Sequence, residues 1–129
     1  MIDINGNTQI DNNEALKNLN TYSTDEIRIG TWIDDKPLYG KTIIVSAPTT
    51  ADTGEDIYTE ATEDIKFFKG YLLGQNLTKY GLNLYLSAND TIYTFIGNHG
   101  HSVHQKVSNY QTYLKGTNYI WLEYTKTTD

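Results

Sequence analysis

GLNLYLSANDTIYTFI, residues 81–96 of a chain of 129, is the stretch that most clearly predicts the fold. Side chains on a strand alternate between the two faces of a sheet, and leucine recurs here at every second position, at Leu82, Leu84 and Leu86. Asn89-Asp90 is a turn signal, and a second run rich in β-branched and aromatic residues follows it. The stretch therefore predicts a β-hairpin with all three leucines on one face.

A second hairpin is predicted from residues 27–33 and 38–45, where apolar side chains recur with the period of a strand. The residues between them, Asp34-Asp35-Lys36-Pro37, are a turn signal, because proline fixes one backbone dihedral. Asp35 tolerates left-handed backbone conformations better than most residues, which is compatible with a tight turn at this position.

Short strands separated by turn signals continue along the chain, with further strands predicted within 57–73, at 103–114 and at 118–126. We predict an all-β fold, a β-sandwich or jelly-roll-like module, for residues 27–129. Its expected core residues include Ile65, Phe67 and Phe68 and, on one face of the last strand, Ile120, Leu122 and Tyr124.

Residues 1–26 differ from this pattern and are predicted to form an N-terminal arm or connector. Within them, residues 11–19 could form one short helix with an Asn or Asp cap, and a helix of that length is marginal alone. An arm that packs against a neighbouring chain and a frayed terminus both fit this composition.

Composition and charge exclude several classes of function. Threonine occurs 18 times, asparagine 12 times and tyrosine 11 times, which suits half-solvated strands and turns. The net charge of −6 and the single arginine, Arg28, argue against a nucleic-acid partner, because phosphate binding requires a basic face. No apolar stretch predicts membrane insertion, and the absence of cysteine excludes disulfides and thiolate metal sites.

Two segments, GTWIDDKPLYGKTI (residues 30–43) and LEYTKTTD (residues 122–129), resemble parts of a known family. Together with residues 22–26, they are similar to the fibre and receptor-binding structural proteins of tailed bacteriophages that infect Firmicutes and related gut bacteria. In that family a GTWIDGKPLYRKT-like segment opens a small β-rich module and an LEYTKTTD-like strand closes it. Asp35 stands here where glycine is usual, and the resemblance does not extend over residues 46–117.

This resemblance implies a non-enzymatic phage virion structural protein, assembled in the cytoplasm of the bacterial host. It implies a tail-fibre or tail-tip module for receptor binding and host attachment, which contacts other virion proteins and recognises a bacterial cell-surface glycan or protein. We expect a homotrimer, on the fibre resemblance and because the sparse hydrophobic residues leave sheet edges that require cover. Three weak sites on one rigid body would then engage a dense surface together.

Aromatic residues of the C-terminal half are candidates for receptor contact. Exposed tyrosine and tryptophan on a rigid sheet provide a large contact area at low entropic cost, which suits sugar stacking and protein contact. Cross-strand aromatic pairs that only stabilise the sheet are the alternative. Loops 46–56 and 97–102 are further candidates. The aromatic candidates are Tyr93, Tyr110, Tyr113, Tyr119 and Trp121.

The three histidines of the chain, His99, His101 and His104, lie close together in sequence. On a strand, His99 and His101 would point to the same side, and at the axis of a trimer they would offer six imidazoles to one iron or zinc ion. Some trimeric phage fibres and spikes use a His-x-His element in this way. The neighbouring Gly97 and Gly100 favour a solvated turn instead, and no other cofactor is predicted.

Two alternatives to receptor binding come from other functional classes. A capsid decoration or head-fibre protein would have a purely structural role, with self-association and no glycan binding. A small surface-glycan hydrolase would need a pair of carboxylates, and the clustered acidic residues are Asp34, Asp35, Glu60, Glu63 and Asp64. The sequence shows neither an elbow-type nucleophile nor a phosphate-binding loop, so we predict that the chain is not an enzyme.

Overall fold

The computed structural model describes residues 22–109 and 114–129, which form nine β-strands and one 3-10 turn. The first five strands are β1 (Ile27–Thr31), β2 (Pro37–Ser46), β3 (Glu55–Thr59), β4 (Glu63–Leu73) and β5 (Lys79–Gly81). The last four are β6 (Leu84–Ser87), β7 (Asp90–Gly97), β8 (Ser102–Asn109) and β9 (Thr117–Lys126). The 3-10 turn spans Asn98–Gly100, and the predicted short helix lies outside the described residues.

The strands form two antiparallel sheets that pack against each other. The five-stranded sheet has the order β1-β2-β9-β4-β5, and the four-stranded sheet has the order β3-β8-β7-β6. In the part of the chain that the structure describes, no helix is long and apolar enough to cross a membrane. The predicted all-β sandwich is confirmed.

The predicted hairpin at residues 81–96 is confirmed as β6 and β7, in which Leu84 pairs with Ile92. Leu82 is buried and Leu84 is half-buried, but Leu86 is 53% exposed. The register shifts between Tyr85 and Ser87, and an extra residue in a strand reverses the face of the side chains beyond it. The prediction that all three leucines share one face is therefore wrong for Leu86.

The predicted first hairpin is confirmed as β1 and β2, joined by a turn over Trp32–Lys36. The Trp32 backbone N–H donates to Lys36 O at 2.9 Å, and Asp35 N–H donates to Trp32 O at 3.0 Å. Asp35 adopts a positive φ of 69°, a conformation that aspartate tolerates better than most residues. Aspartate thus occupies the left-handed position of this turn.

A bulge in β4 decides which of its phenylalanines faces the core. Ile65 is buried, and Phe68 packs against the buried cluster, but Phe67 is 40% exposed. The register with β9 shifts between Ile65 and Phe67, so β4 contains one extra residue at this point. Beyond it, the side chains that would have pointed into the core point outward. The prediction of Phe67 as a core residue is therefore wrong, whereas the buried face of Ile120, Leu122 and Tyr124 is confirmed.

The apolar interior consists of two clusters, and a polar group lies where they meet. On β8, Val103 belongs to one cluster and Val107 to the other, with Gln105 between them. Gln105 and the facing Asn118 of β9 are both fully buried. Each side-chain amide donates to the carbonyl of the other at 2.8 Å, so the pair links the two sheets.

A third buried side chain completes this polar group. Gln105 Nε2 also donates to Thr94 Oγ1 at 3.0 Å, and the Thr94 hydroxyl donates to Leu82 O at 2.8 Å. A buried polar group without a partner costs about 1–3 kcal/mol, so the complete set of bonds is what makes amides tolerable in this interior.

We expect Asn118→Leu to lower the free energy of unfolding by about 1–3 kcal/mol, because it leaves the buried Gln105 amide without its main partner. The double variant Gln105→Leu/Asn118→Leu should recover much of this loss, since removing both polar partners leaves Thr94 still bonded to Leu82. Urea unfolding of the two single variants and the double variant measures the coupling. Strictly additive losses would show that the two amides do not act as a pair.

Candidate functional site

Three exposed aromatic side chains lie on the outer face of the four-stranded sheet. Tyr93 and Phe95 are two residues apart on β7 and share the face opposite to the buried Ile92 and Thr94. Their ring centroids are 5.5 Å apart, and Tyr85 on the neighbouring β6 adds a third ring. The exposed fractions are 73% for Tyr85 on the edge strand β6, and 60% for Tyr93 and 41% for Phe95 on the inner strand β7.

His104 of β8 extends this row of rings. It pairs with Phe95 across the strands, and their ring centroids are 5.0 Å apart. On its other side His104 Nδ1 lies 3.0 Å from Asp56 Oδ1 of β3. We call Tyr85, Tyr93, Phe95 and His104 the aromatic face, and it extends across β6, β7 and β8.

Polar side chains border the aromatic face along a shallow groove of about 600 Å³. Lys106 of β8 is exposed and lies directly opposite Tyr93 in the strand register. The side chain of Asn83 is already hydrogen-bonded to the backbone of β7. Its amide oxygen accepts from Thr94 N–H at 3.0 Å, and its amide nitrogen donates to Thr94 O at 3.1 Å. The groove is lined by Asn83, Leu84, Tyr85, Thr91, Ile92, Tyr93, Lys106 and Ser108.

The predicted contact residues do not form one site. Tyr93 belongs to the aromatic face, whereas Tyr119 and Trp121 lie on the outer face of the opposite, five-stranded sheet. Tyr110 and Tyr113 lie outside the described residues. Sequence reasoning missed Tyr85 and Phe95. Strand periodicity could have found both, because Phe95 is two residues from Tyr93 and points to the same face, and Tyr85 lies between Leu84 and Leu86 and points away from the face of Leu84.

Trp121 is only 7% exposed, even though it is on the outer face of its sheet. Its ring packs over Gly40 of β2, where an added Cβ would lie 2.2 Å from the ring. The Tyr22 ring packs against it in a T-shaped arrangement, with centroids 5.1 Å apart and planes at 83°. Tyr119 stacks instead on Tyr71 of β4, with centroids 5.4 Å apart and planes at 15°.

Residues 22–26, which we call the strap, hold Tyr22 in this position. Thr42 of β2 donates from its backbone N–H to Ser23 O at 2.7 Å and from its hydroxyl to Tyr22 O at 3.0 Å. At the other end of the strap, the Glu26 carboxylate accepts from Lys126 Nζ at 2.7 Å and from the Tyr124 hydroxyl. The strap is therefore attached to the five-stranded sheet at both ends.

Ionisation in the strap is coupled to folding. Burial alone would raise the pKa of Glu26, but hydrogen bonds from Lys126 and Tyr124 outweigh it and lower the pKa from its ordinary value of 4.5. Burial and the bond to Glu26 raise the pKa of Tyr124, so its hydroxyl stays protonated. The carboxylate form of Glu26 is thus the form that the folded chain stabilises.

Four of the five clustered acidic residues that a hydrolase could use are engaged in structural contacts. Glu63 is 4% exposed, pairs with Lys41 Nζ at 2.6 Å and accepts from the Tyr58 hydroxyl at 2.7 Å. Asp64 pairs with Lys66 Nζ at 2.8 Å, and Glu60 accepts from the Thr62 hydroxyl at 2.8 Å. Asp34 accepts from the Lys36 backbone N–H at 3.1 Å within the first turn.

His99 and His101 lie in a turn and not on a strand. His99 has a positive φ of 57° within the 3-10 turn, and His101 follows directly after it. His101 Nδ1 lies 2.7 Å from Glu63 O, so this ring is fixed to β4. Among residues 22–109 and 114–129, no group of three His, Cys, Asp or Glu side chains is placed to hold a metal ion, and the axial iron or zinc site stays a prediction about an assembled trimer.

No protein-family model, curated protein or solved structure matches this chain. The resemblance to phage fibre proteins rests on the two short segments, which lie around the β1–β2 hairpin and along β9.

We expect Glu26→Gln to lower the free energy of unfolding at pH 7 by about 1 kcal/mol, in the range of exposed ion pairs. Because the folded-state pKa of Glu26 is lowered, its stabilisation is present above pH 4.5 and is lost as the pH falls through the folded-state pKa. Urea unfolding between pH 3 and pH 7 should show the two proteins converging at low pH.

The exposed Glu55 at the start of β3 provides the matched control for this pH series. Glu55→Gln removes the same charge from the chain without touching the strap. A pH dependence that is the same for both variants would show that Glu26 acts only through net charge.

Proposed function

We propose that this chain is a virion structural protein of a tailed bacteriophage, and that its β-sandwich is a receptor-binding module for a bacterial surface glycan. The observation that carries the glycan proposal is the aromatic face, with Tyr85 and Tyr93 each more than half exposed on a rigid sheet. Contiguous exposed apolar surface marks an interaction site, and three of the five exposed aromatic side chains among the described residues, Tyr85, Tyr93 and Phe95, lie on this face.

A glycan fits the chemistry of this face. The C–H face of a pyranose ring is apolar and packs on aromatic rings, and a tyrosine ring offers that surface together with a hydroxyl for hydrogen bonding. Lys106, Ser108 and Thr91 border the same groove and can bond sugar hydroxyls. Because the rings stand on paired strands, little conformational entropy is lost when a ligand binds.

The virion part of the proposal rests on the sequence resemblance. β2 and β9, which contain most of the two resembling segments, are neighbours in the five-stranded sheet, with Lys41 paired to Leu122. These segments therefore form one continuous part of the sandwich, on the sheet opposite to the aromatic face. In a homotrimer, three aromatic faces on one tail fibre or tail tip would bind a dense surface with avidity.

The hydrolase alternative has less support in the geometry. Glu63, the most buried of the clustered carboxylates, is paired with Lys41 and Tyr58, away from the aromatic face. A capsid decoration protein would not need an exposed aromatic face unless that face contacts another virion protein. Binding to isolated glycans separates this alternative from receptor binding.

We expect Tyr93→Ala to weaken binding to the recognised polysaccharide at least tenfold, a loss of about 1.4 kcal/mol, because one stacking surface is removed. A panel of immobilised bacterial surface polysaccharides identifies the ligand, and titration of the soluble polymer measures the affinity. Tyr85→Ala and Phe95→Ala should each weaken binding in the same direction.

The control for these variants is Tyr39→Phe, which changes a tyrosine of the five-stranded sheet far from the aromatic face. It should leave the affinity unchanged, and urea unfolding should show all variants folded. Full binding by Tyr93→Ala and Tyr85→Ala would refute the aromatic face as the receptor site. Release of new reducing ends from the polysaccharide would instead support the hydrolase.

A further inference from the structure

A second groove, of about 450 Å³, lies on the outer face of the five-stranded sheet. It follows β9, on which Tyr119 and Trp121 are two residues apart and share the outward side. The stacked Tyr71–Tyr119 pair and the Tyr22–Trp121 pair both contribute to its wall. We call it the tyrosine groove, and it is lined by Tyr22, Thr42, Lys69, Gly70, Tyr71, Tyr119 and Trp121.

The walls of this groove are held in place before any ligand arrives. The strap bonds to Thr42 and positions Tyr22, and Trp121 donates from Nε1 to Glu123 Oε2 at 2.9 Å. Trp121 also has its ring seated on Gly40. Because these side chains are already fixed, little conformational entropy is lost when a ligand binds in the groove.

Lys69 lines the tyrosine groove, and Lys79 lies beside one of its rings. Lys69 Nζ donates to the Tyr22 hydroxyl at 2.9 Å and lies 4.8 Å from the centre of its ring. Lys79 Nζ lies 5.1 Å from the centre of the Tyr71 ring. Both side chains are exposed, and neither has a carboxylate within salt-bridge distance among the described residues.

Lys69 and Lys79 are cations without an ion pair among the described residues, and so is Lys106 beside the aromatic face. The net charge is −6, and Lys41, Lys66 and Lys126 are each paired with a carboxylate. The negative charge of Glu123 attracts the Lys69 ammonium, and one oxygen of this carboxylate accepts a hydrogen bond from Trp121. The hydrogen bond to Tyr22 raises the pKa of Lys69, so this ammonium remains charged.

We infer that the tyrosine groove is a second saccharide site, selective for a sugar that carries a carboxylate, such as a hexuronic acid. The pyranose ring packs its C–H face on the groove tyrosines, and its carboxylate accepts charge-assisted hydrogen bonds from Lys69, with Lys79 adding to the local positive charge. An acyclic polyol phosphate has the charge but no ring to stack. This site lies on the opposite side of the sandwich from the aromatic face and does not depend on the function proposed for that face.

The test is calorimetric titration of the intact protein with three probes. These are a tetrasaccharide of alternating glucuronic acid and N-acetylglucosamine, neutral chitotetraose, and an oligomer of glycerol phosphate. We expect the acidic tetrasaccharide to bind about tenfold more tightly than chitotetraose, as one charge-assisted hydrogen bond provides. Equal affinity for the two tetrasaccharides, or equally tight binding of glycerol phosphate, would overturn the inference.

Matched variants locate the acidic sugar on the molecule. Lys69→Gln should reduce the preference for the acidic tetrasaccharide to near one, and Lys79→Gln should reduce it by a smaller factor. Lys106→Gln, which removes a lysine beside the aromatic face, should leave the preference unchanged. A preference lost with Lys106→Gln and kept with Lys69→Gln would assign the acidic sugar to the aromatic face and refute the tyrosine groove as its site.

Discussion

The reciprocal amide bond between Gln105 and Asn118 is the constraint on which the rest of the sandwich depends. Each side chain comes from a different sheet, and both are fully buried between two apolar clusters. A shift of one residue in either strand would leave a buried amide without its partner and would turn every neighbouring side chain to the other face. The bond therefore sets the facing of β8 and β9 together, and with it the outward positions of Lys106, Tyr119 and Trp121.

The outer surfaces of the two sheets differ in chemistry because their strands carry different side chains at the positions that point outward. The four-stranded sheet exposes Tyr85, Tyr93 and Phe95 with little cover. The five-stranded sheet carries larger aromatic groups that are partly covered, because Gly40 leaves room for the Trp121 ring and the strap places Tyr22 against it. One face is thus an open aromatic platform, and the other is a groove bordered by lysines.

Local sequence was a good guide where one strand or one turn decides the outcome. The alternation in residues 81–96 predicted β6 and β7, and Asp34-Asp35-Lys36-Pro37 predicted the first turn, in which Asp35 takes the left-handed position. Errors occurred at the bulges, at Phe67 and Leu86, since one unpaired residue reverses the alternation and nothing in a single strand reveals it. Bulges depend on the pairing partner, which strand periodicity alone does not identify.

By itself, the sequence determined the all-β class, the turns, the buried side of β9 and the presence of more aromatic residues than one small core can hold. Only the tertiary structure decided where those aromatic residues meet. It separated Tyr93 from Tyr119 and Trp121 onto opposite sides of the sandwich, joined Tyr93 with Phe95, and buried Trp121 beneath Tyr22. The physical reason is that strand periodicity is local, whereas strand order and the packing of two sheets bring together residues far apart in the chain, as in the bond between Glu26 and Lys126.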